Sequence, residues 1–249
     1  MKKIETISKG STKAERDNRD ALLHALKESA VPDSELLENL GLFQRRQELA
    51  RLLFMHDLYR KILPVHGVVM EFGARWGQNL AWFSNFRALY EPYNYNRKIV
   101  GFDTFSGFPG VHTKDGSRAQ QANYRVVEGH EKALSAILQC HEDNAPLPHM
   151  KKFELVKGDA VKTFPKYMKD HPETIVALAY FDFDLYLPTK GCLRAVASRL
   201  TKGSIVAFDE LNCDVFPGET AAMQEVFGLS RYAIRRDPLN PLCSYIVIE

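Results

Sequence analysis

The chain has 249 residues, 45% of them apolar and 26% charged, and its 33 Lys+Arg against 31 Asp+Glu leave a formal net charge of +2. This is the composition of an ordinary globular protein. It excludes a general nucleic-acid binder, which must neutralise many phosphates, and a polybasic membrane anchor. The longest purely apolar run, Ile175 to Phe181, is far short of the roughly twenty residues that span a bilayer. Met1-Lys-Lys-Ile-Glu-Thr-Ile-Ser has no apolar core of a signal peptide. Cys140, Cys192, Cys213 and Cys243 form no C-x-x-C pair, so they read as the reduced thiols of a cytoplasmic protein.

In chain order, residues 1 to about 20 are polar and read as a flexible lead or a lid. Ala21 to Ser29 fits one short helix, and Pro32-Asp-Ser a turn with an N-cap. Phe43 to Ile62 predicts a helix with Leu49, Leu52, Leu53, His56 and Tyr59 on one face, ended by Pro64. Residues 1–42 are therefore an N-terminal helical extension, and 43–249 one domain.

Strand and helix patterns then alternate. The strands are Gly67 to Phe72, Lys98 to Asp103, Phe153 to Gly158, Thr174 to Phe181 and Gly203 to Phe208. The helices are Leu80 to Tyr90, Glu131 to Cys140, Ala160 to Lys169, Thr189 to Leu200 and Thr220 to Phe227. Tyr232 to Arg236 and Cys243 to Ile248 close the chain as an antiparallel hairpin. Such alternation predicts an α/β doubly wound, Rossmann-like sheet of seven strands, mostly parallel, with helices on both faces. Ligands in such sheets bind beyond the carboxyl ends of the strands.

Those ends carry the chemistry. Glu71-Phe-Gly73-Ala-Arg-Trp-Gly77 is a glycine turn suited to close ligand approach, or a plain tight turn. Its spacing is not G-x-G-x-x-G, which counts against a nicotinamide oxidoreductase. Asp103, in Asp103-Thr-Phe-Ser-Gly-Phe-Pro109, can accept from ribose hydroxyls or cap a helix. Asp159 offers the same choice. Three acids on three successive strand ends favour a nucleoside site. Asp182, Asp184, Asp209 and Glu210 then gather four carboxylates on the rim of two neighbouring strands. Like charges so close repel, and an all-oxygen donor set suits a hard cation, Mg²⁺ first. The alternative is a cluster neutralised by Lys or Arg.

With these residues in view, Glu71–Gly77 resembles the first motif of class I S-adenosylmethionine-dependent methyltransferases. Gly101-Phe-Asp-Thr-Phe-Ser-Gly-Phe-Pro109, Asp182-Phe-Asp-Leu-Tyr186 and Asp209-Glu210 with Pro217-Gly218 resemble the macrocin O-methyltransferase family of metal-dependent sugar O-methyltransferases, over roughly Leu49 to the C-terminus. The nearest likeness is to members acting on nucleotide-linked deoxysugars in antibiotic biosynthesis. The chain departs from the family pattern at Glu210, where an aspartate is common, at Phe183, and at Leu187-Pro-Thr189.

The resemblance implies S-adenosylmethionine and Mg²⁺ as cofactors. It places the methionine end over Glu71, Gly73, Ala74 and Gly77, with Arg75, Trp76 and Asn79 nearby. Asp103 then takes the ribose beside Thr104 and Phe105, and Asp159 and Ala160 border the adenine. Asp182, Asp209 and Glu210 are assigned to the metal, with Asp182 also beside the cofactor. Asp184 is the base or a fourth ligand, on the same strand face as Asp182 if the strand continues, and their roles are the pair most open to exchange. The loop from Gly110 to Gln121, with His112, Lys114 and Arg118, is a candidate cover over a substrate diphosphate, or a solvated loop. His130 reads as a surface residue. The substrate is a nucleotide sugar or glycoside, and a homo-oligomer is expected. The rival readings are methylation of a phenol or catechol, and a non-catalytic S-adenosylmethionine-binding protein.

Overall fold

The structure, a computed structural model, describes residues 11–249. Strands β1 (Val68–Phe72), β2 (Ile99–Asp103), β3 (Phe153–Lys157), β4 (Val176–Phe181) and β5 (Leu200–Phe208) run parallel. β6 (Arg235–Arg236) and β7 (Ser244–Val247) complete one seven-stranded sheet in the order β3-β2-β1-β4-β5-β7-β6. β7 is antiparallel to both neighbours. The expected mostly parallel sheet with an antiparallel C-terminal pair is present. The first of the two closing strands is shorter than Tyr232 to Arg236, because only Arg235 and Arg236 pair on this exposed edge.

Helices cover both faces. Phe54, Leu58 and Ile62 of α3 (Arg46–Ile62), Leu80 and Phe83 of α4 (Gln78–Tyr90) and Leu134 and Leu138 of α5 (His130–Asp143) pack on one side. Phe164 of α6 (Ala160–Asp170), Leu193 of α7 (Tyr186–Val196) and Met223 of α8 (Gly218–Val226) pack on the other. The near-continuous apolar runs of β1 and β4 follow from this double cover: every residue of both strands is buried.

Three expectations need correction. Lys13–Lys27 form a helix, α1, where residues up to about 20 read as a lead. Thr12 accepts from the Glu15 N–H and Glu15 accepts from Thr12, a reciprocal capping box that starts the helix at this point. The part of the expected lead in residues 1–10 lies outside the described residues. Second, the buried stripe of α3 is Phe54, Met55, Leu58, Tyr59 and Ile62, whereas Leu49 and Leu53 are exposed. The stripe is set by what packs on the sheet, and a three-four spacing of leucines on the outer face mimicked it. Third, α7 begins at Tyr186 rather than Thr189, with Pro188 inside its first turn, a position where a missing N–H costs nothing.

The chain turns back between β1 and β4. β2 and β3 extend the sheet to one side of β1, while β4 and β5 extend it to the other. A crevice opens outside the carboxyl ends at this reversal.

Candidate active site

The sheet register aligns the site. Phe72 pairs with Phe102 on one side and Phe181 on the other, and Phe181 pairs with Phe208. Their rings stack with centroids 5.1, 4.6 and 5.6 Å apart. This buried aromatic row ends the hydrophobic core. The next residue on each strand, Asp103, Gly73, Asp182 and Asp209, therefore emerges on a common rim. Backbone bonds from Gly73 N to Phe102 O and from Asp182 N to Phe72 O, each 2.8 Å, hold the rim in line.

A cleft of about 300 Å³ lies over it. Its walls include Glu71, Gly73, Ala74, Arg75, Trp76, Gly77, Asn79, Asp103, Thr104, Asp159 and Ala160, and all four rim acids Asp182, Asp184, Asp209 and Glu210. Phe105, expected beside them, does not line the cleft; it is buried, with its ring 6.3 Å from His130.

On the glycine side, a Cβ on Gly73 (φ +103°) would fall 2.0 Å from the Asp182 carbonyl oxygen, and one on Gly77 (φ +81°) would strike Leu134. Asp103 accepts from the backbone N–H of Arg75 at 2.7 Å and of Phe105 at 2.5 Å, fastening the two strand-end turns together. Burial raises its pKa in spite of these donors. Thr104 accepts from Ser106 N and donates to Gly107 O, so its hydroxyl builds its own turn. Asp159 caps α6 through the Val161 N–H at 3.1 Å, as one of its two readings expects, and it also lines the cleft. Trp76 is exposed, with His130 edge-on at 4.8 Å. His130 thus belongs to this turn rather than to open surface.

Glu71 is fully buried beneath the turn and accepts from Asn79 Nδ2 at 2.6 Å. Burial and the nearby Asp182 push its pKa well above the ordinary carboxylate range. Its Oε2 and the buried Arg75 Nε have no protein partner.

On the acidic side, β4 ends at Phe181, and Asp184 takes a left-handed conformation at φ +60°. The strand alternation expected to align Asp182 with Asp184 therefore does not reach Asp184. The two acids share the cleft through a turn instead. Glu219 of α8 makes that turn possible: its buried carboxylate accepts from the backbone N–H groups of Phe183 (3.0 Å), Asp184 (3.3 Å) and Glu210 (3.3 Å). Burial and mutual repulsion raise Asp182, Asp184 and Glu210. Asp182 is pushed up to about 7 by burial and by Asp209, and Glu210 to about 7 by the same pair of causes. Asp184 stands well above its ordinary range through burial and the charges of Asp182 and Glu210.

Arg51 was not singled out in the sequence. It reaches in from α3, donating from Nη2 to Asp182 and from Nη1 to Asp209, each at 2.6 Å, and from Nε to Asn79 Oδ1 at 3.3 Å. Asp209 Oδ1 also accepts from the Tyr180 hydroxyl at 2.6 Å and the Cys243 thiol at 3.3 Å. Its position was detectable in principle. Arg51 lies three and four residues before Phe54 and Met55, so it continues the buried stripe of α3, and a cation on such a stripe needs an acid. Glu219 offered no comparable signal.

The donor chemistry fits a hard divalent cation: Asp182, Asp209 and Glu210 are all-oxygen ligands, and Glu210 Oε2 is buried without a partner. As the side chains stand, Arg51 is the cation between Asp182 and Asp209. Among the described residues no group of three His, Cys, Asp or Glu side chains is arranged to hold a metal ion.

The loop expected to meet a diphosphate is tied elsewhere. Lys114 pairs with Glu225 of α8 and lies over the Tyr186 ring. Asp115 accepts from Tyr186 N and His112 N, both at 2.6 Å, clamping the loop to the start of α7.

No protein-family model and no curated protein matches the chain. Solved structures do. The calicheamicin methyltransferase CalS11 is 44% identical, with a TM-score of 0.93 over 96% of this chain and 94% of that one. An apo structure of CalS11, described as a TDP-rhamnose 3'-O-methyltransferase of calicheamicin biosynthesis, is 41% identical over 96% of each chain, with a TM-score of 0.85. The O-methyltransferase NovP, 15% identical over 80% of this chain and 79% of that one, shares the fold with a TM-score of 0.61. Identity of this extent over nearly the full length of both chains settles the relationship: this chain belongs to the O-methyltransferase family of CalS11, the family its strand-end motifs resemble.

Proposed function

We propose that this chain transfers the methyl group of S-adenosylmethionine to a hydroxyl of a nucleotide-linked deoxysugar in natural-product assembly, with Mg²⁺ held by Asp182, Asp209 and Glu210. The observation that carries this reading is the near full-length similarity to CalS11, in a chain whose cleft gathers the glycine turn and the acidic rim.

The cleft fits the cofactor on its own evidence. Gly73 and Gly77 line the cleft with bare backbone, and the unpartnered Glu71 Oε2 and Arg75 Nε match the ammonium and carboxylate of a methionine moiety. Asp103 holds ribose hydroxyls, and Asp159 accepts from the adenine amino group. S-adenosylmethionine, when bound, supplies an electrophilic methyl group on a sulfonium.

Methyl transfer is an in-line displacement, so alignment is the chief contribution of the protein, worth roughly 7–11 kcal/mol of barrier. Glu219 and the left-handed turn at Asp184 fix the carboxylates that face the acceptor. Mg²⁺, when bound, makes a sugar hydroxyl more acidic and adds the positive charge that lets crowded carboxylates ionise. Asp184 takes the hydroxyl proton, and its raised proton affinity suits it to that role. Tyr180 keeps Asp209 oriented throughout.

Residues 1–42 are read as an extension outside the methyltransferase body, since Lys13–Lys27 and Asp33–Leu36 bury no residue. The exposed Leu37 and Leu42 of the extension, with the exposed Leu49 and Leu53 of α3, support homo-oligomeric contacts. Four free cysteines support a cytoplasmic setting, and among the described residues no helix is long and apolar enough to cross a membrane.

The test is transfer of labelled methyl from S-adenosylmethionine to a panel of nucleotide sugars, with and without Mg²⁺. A phenol or catechol methylated in preference to every sugar would replace the sugar reading.

A further inference from the structure

The guanidinium of Arg51 bridges two of the three carboxylates assigned to the metal, 2.6 Å from each. Mg²⁺ holds its oxygen ligands at about 2.0–2.1 Å and demands a near-octahedral shell. The same carboxylate oxygens cannot meet that shell and a bridging guanidinium together. We propose that Arg51 is a displaceable internal counter-ion: it occupies the metal position in the resting enzyme, and a divalent cation binds only as Arg51 leaves.

Three further features of the structure support exchange over a permanent ion pair. Asp209 Oδ1 keeps the Tyr180 hydroxyl and the Cys243 thiol as donors after Arg51 departs, so this ligand stays oriented. Glu210 Oε2, buried and without a partner, is the carboxylate oxygen that the guanidinium leaves unsatisfied. The Arg51 side chain is 23% exposed, so its long flexible stem has a route to solvent. The third donor of Arg51 is the long 3.3 Å bond to Asn79, whose amide also serves Glu71 beneath the glycine turn. Release of Arg51 therefore frees Asn79 next to the cofactor turn.

A purely structural role makes the opposite prediction. If Arg51 only scaffolds Asp182 and Asp209, its removal disorders the ligands and weakens metal binding. If it competes for them, its removal strengthens metal binding.

The inference rests on the metal reading above, and its experiment separates the two. Mn²⁺ is titrated into full-length wild type, Arg51→Gln and Arg51→Lys, with free Mn²⁺ followed by electron paramagnetic resonance. Arg51→Gln is expected to bind at least tenfold more tightly, with Arg51→Lys close to wild type because the positive charge remains. Equal or weaker binding by folded Arg51→Gln, with wild type binding well, overturns the exchange and leaves the metal reading standing. No binding by any of the three overturns both. A second measurement needs no variant: phenylglyoxal labelling of wild type, read by peptide mass spectrometry. Mg²⁺ is expected to speed labelling of Arg51 severalfold, and an unchanged rate contradicts the proposal.

Discussion

Gly73 and Asp182 approach so closely that a Cβ on Gly73 would sit 2.0 Å from the Asp182 carbonyl oxygen. The glycine turn and the first acid of the rim are thus packed backbone to backbone across β1 and β4. Gly73→Ala must also carry φ +103°, a conformation that costs an L-residue heavily. It is expected to lose about 2 kcal/mol or more of stability and to disturb both halves of the site. Chemical denaturation and calorimetric titration of S-adenosylmethionine read the two effects.

Asp103 ties the glycine turn to its own turn through two short backbone bonds. Asp103→Ala leaves both N–H groups without an acceptor and removes the proposed ribose contact. The Kd for S-adenosylmethionine is expected to rise roughly tenfold to a hundredfold, while Mn²⁺ binding at the other end of the cleft stays near wild type. Paired titrations of the two ligands check this separation.

Asp182→Asn and Asp209→Asn strike the acidic side. Each is expected to cut methyl transfer by roughly 10²–10⁴-fold yet leave S-adenosylmethionine binding largely intact. Asp209→Asn also removes the charge that holds Arg51, Tyr180 and Cys243 around one oxygen. Single-turnover rates set against cofactor affinity distinguish loss of chemistry from loss of binding.

Burial and Asp209 raise Asp182 from its ordinary 3.8 to about 7. The folded protein therefore holds this proton more tightly than the unfolded chain does. The resulting stability is fully present below about pH 4 and is lost as pH rises toward about 7. Denaturant unfolding of wild type and Asp182→Asn from about pH 4.5 to about 7.5 should show wild type losing stability relative to the variant as pH rises. Saturating Mg²⁺ is expected to reduce that loss by favouring the ionised acid.

Much of this site was legible because its residues sit where short strands stop. Asp103, Asp182 and Asp209 each follow a phenylalanine that ends a buried run, and strand ends are visible in a linear pattern. The glycine turn was legible for the same local reason. Arg51, Glu219 and Asp115 were not, because each acts on residues far away in the chain: Arg51 on Asp182 and Asp209, Glu219 on three backbone N–H groups, Asp115 on Tyr186. Such contacts are created by helix packing: spacing along α3 can mark Arg51 as a cation on an apolar stripe, but it does not say which acids it meets. The buried face of α3 is hidden from the sequence for a related reason. Leucines at helical spacing mark an apolar stripe, but only the sheet decides which stripe is buried. Strand alternation does not extend to Asp184, because β4 ends at Phe181, ahead of the left-handed turn.

The most direct measurement is mass spectrometry of a thymidine-diphosphate deoxysugar incubated with the enzyme, S-adenosylmethionine and Mg²⁺. The account predicts a product heavier by one methylene unit, with equimolar S-adenosylhomocysteine, and loss of both in Asp209→Asn. Tight S-adenosylmethionine binding with no methylation of any nucleotide sugar, in the presence of Mg²⁺, would contradict it.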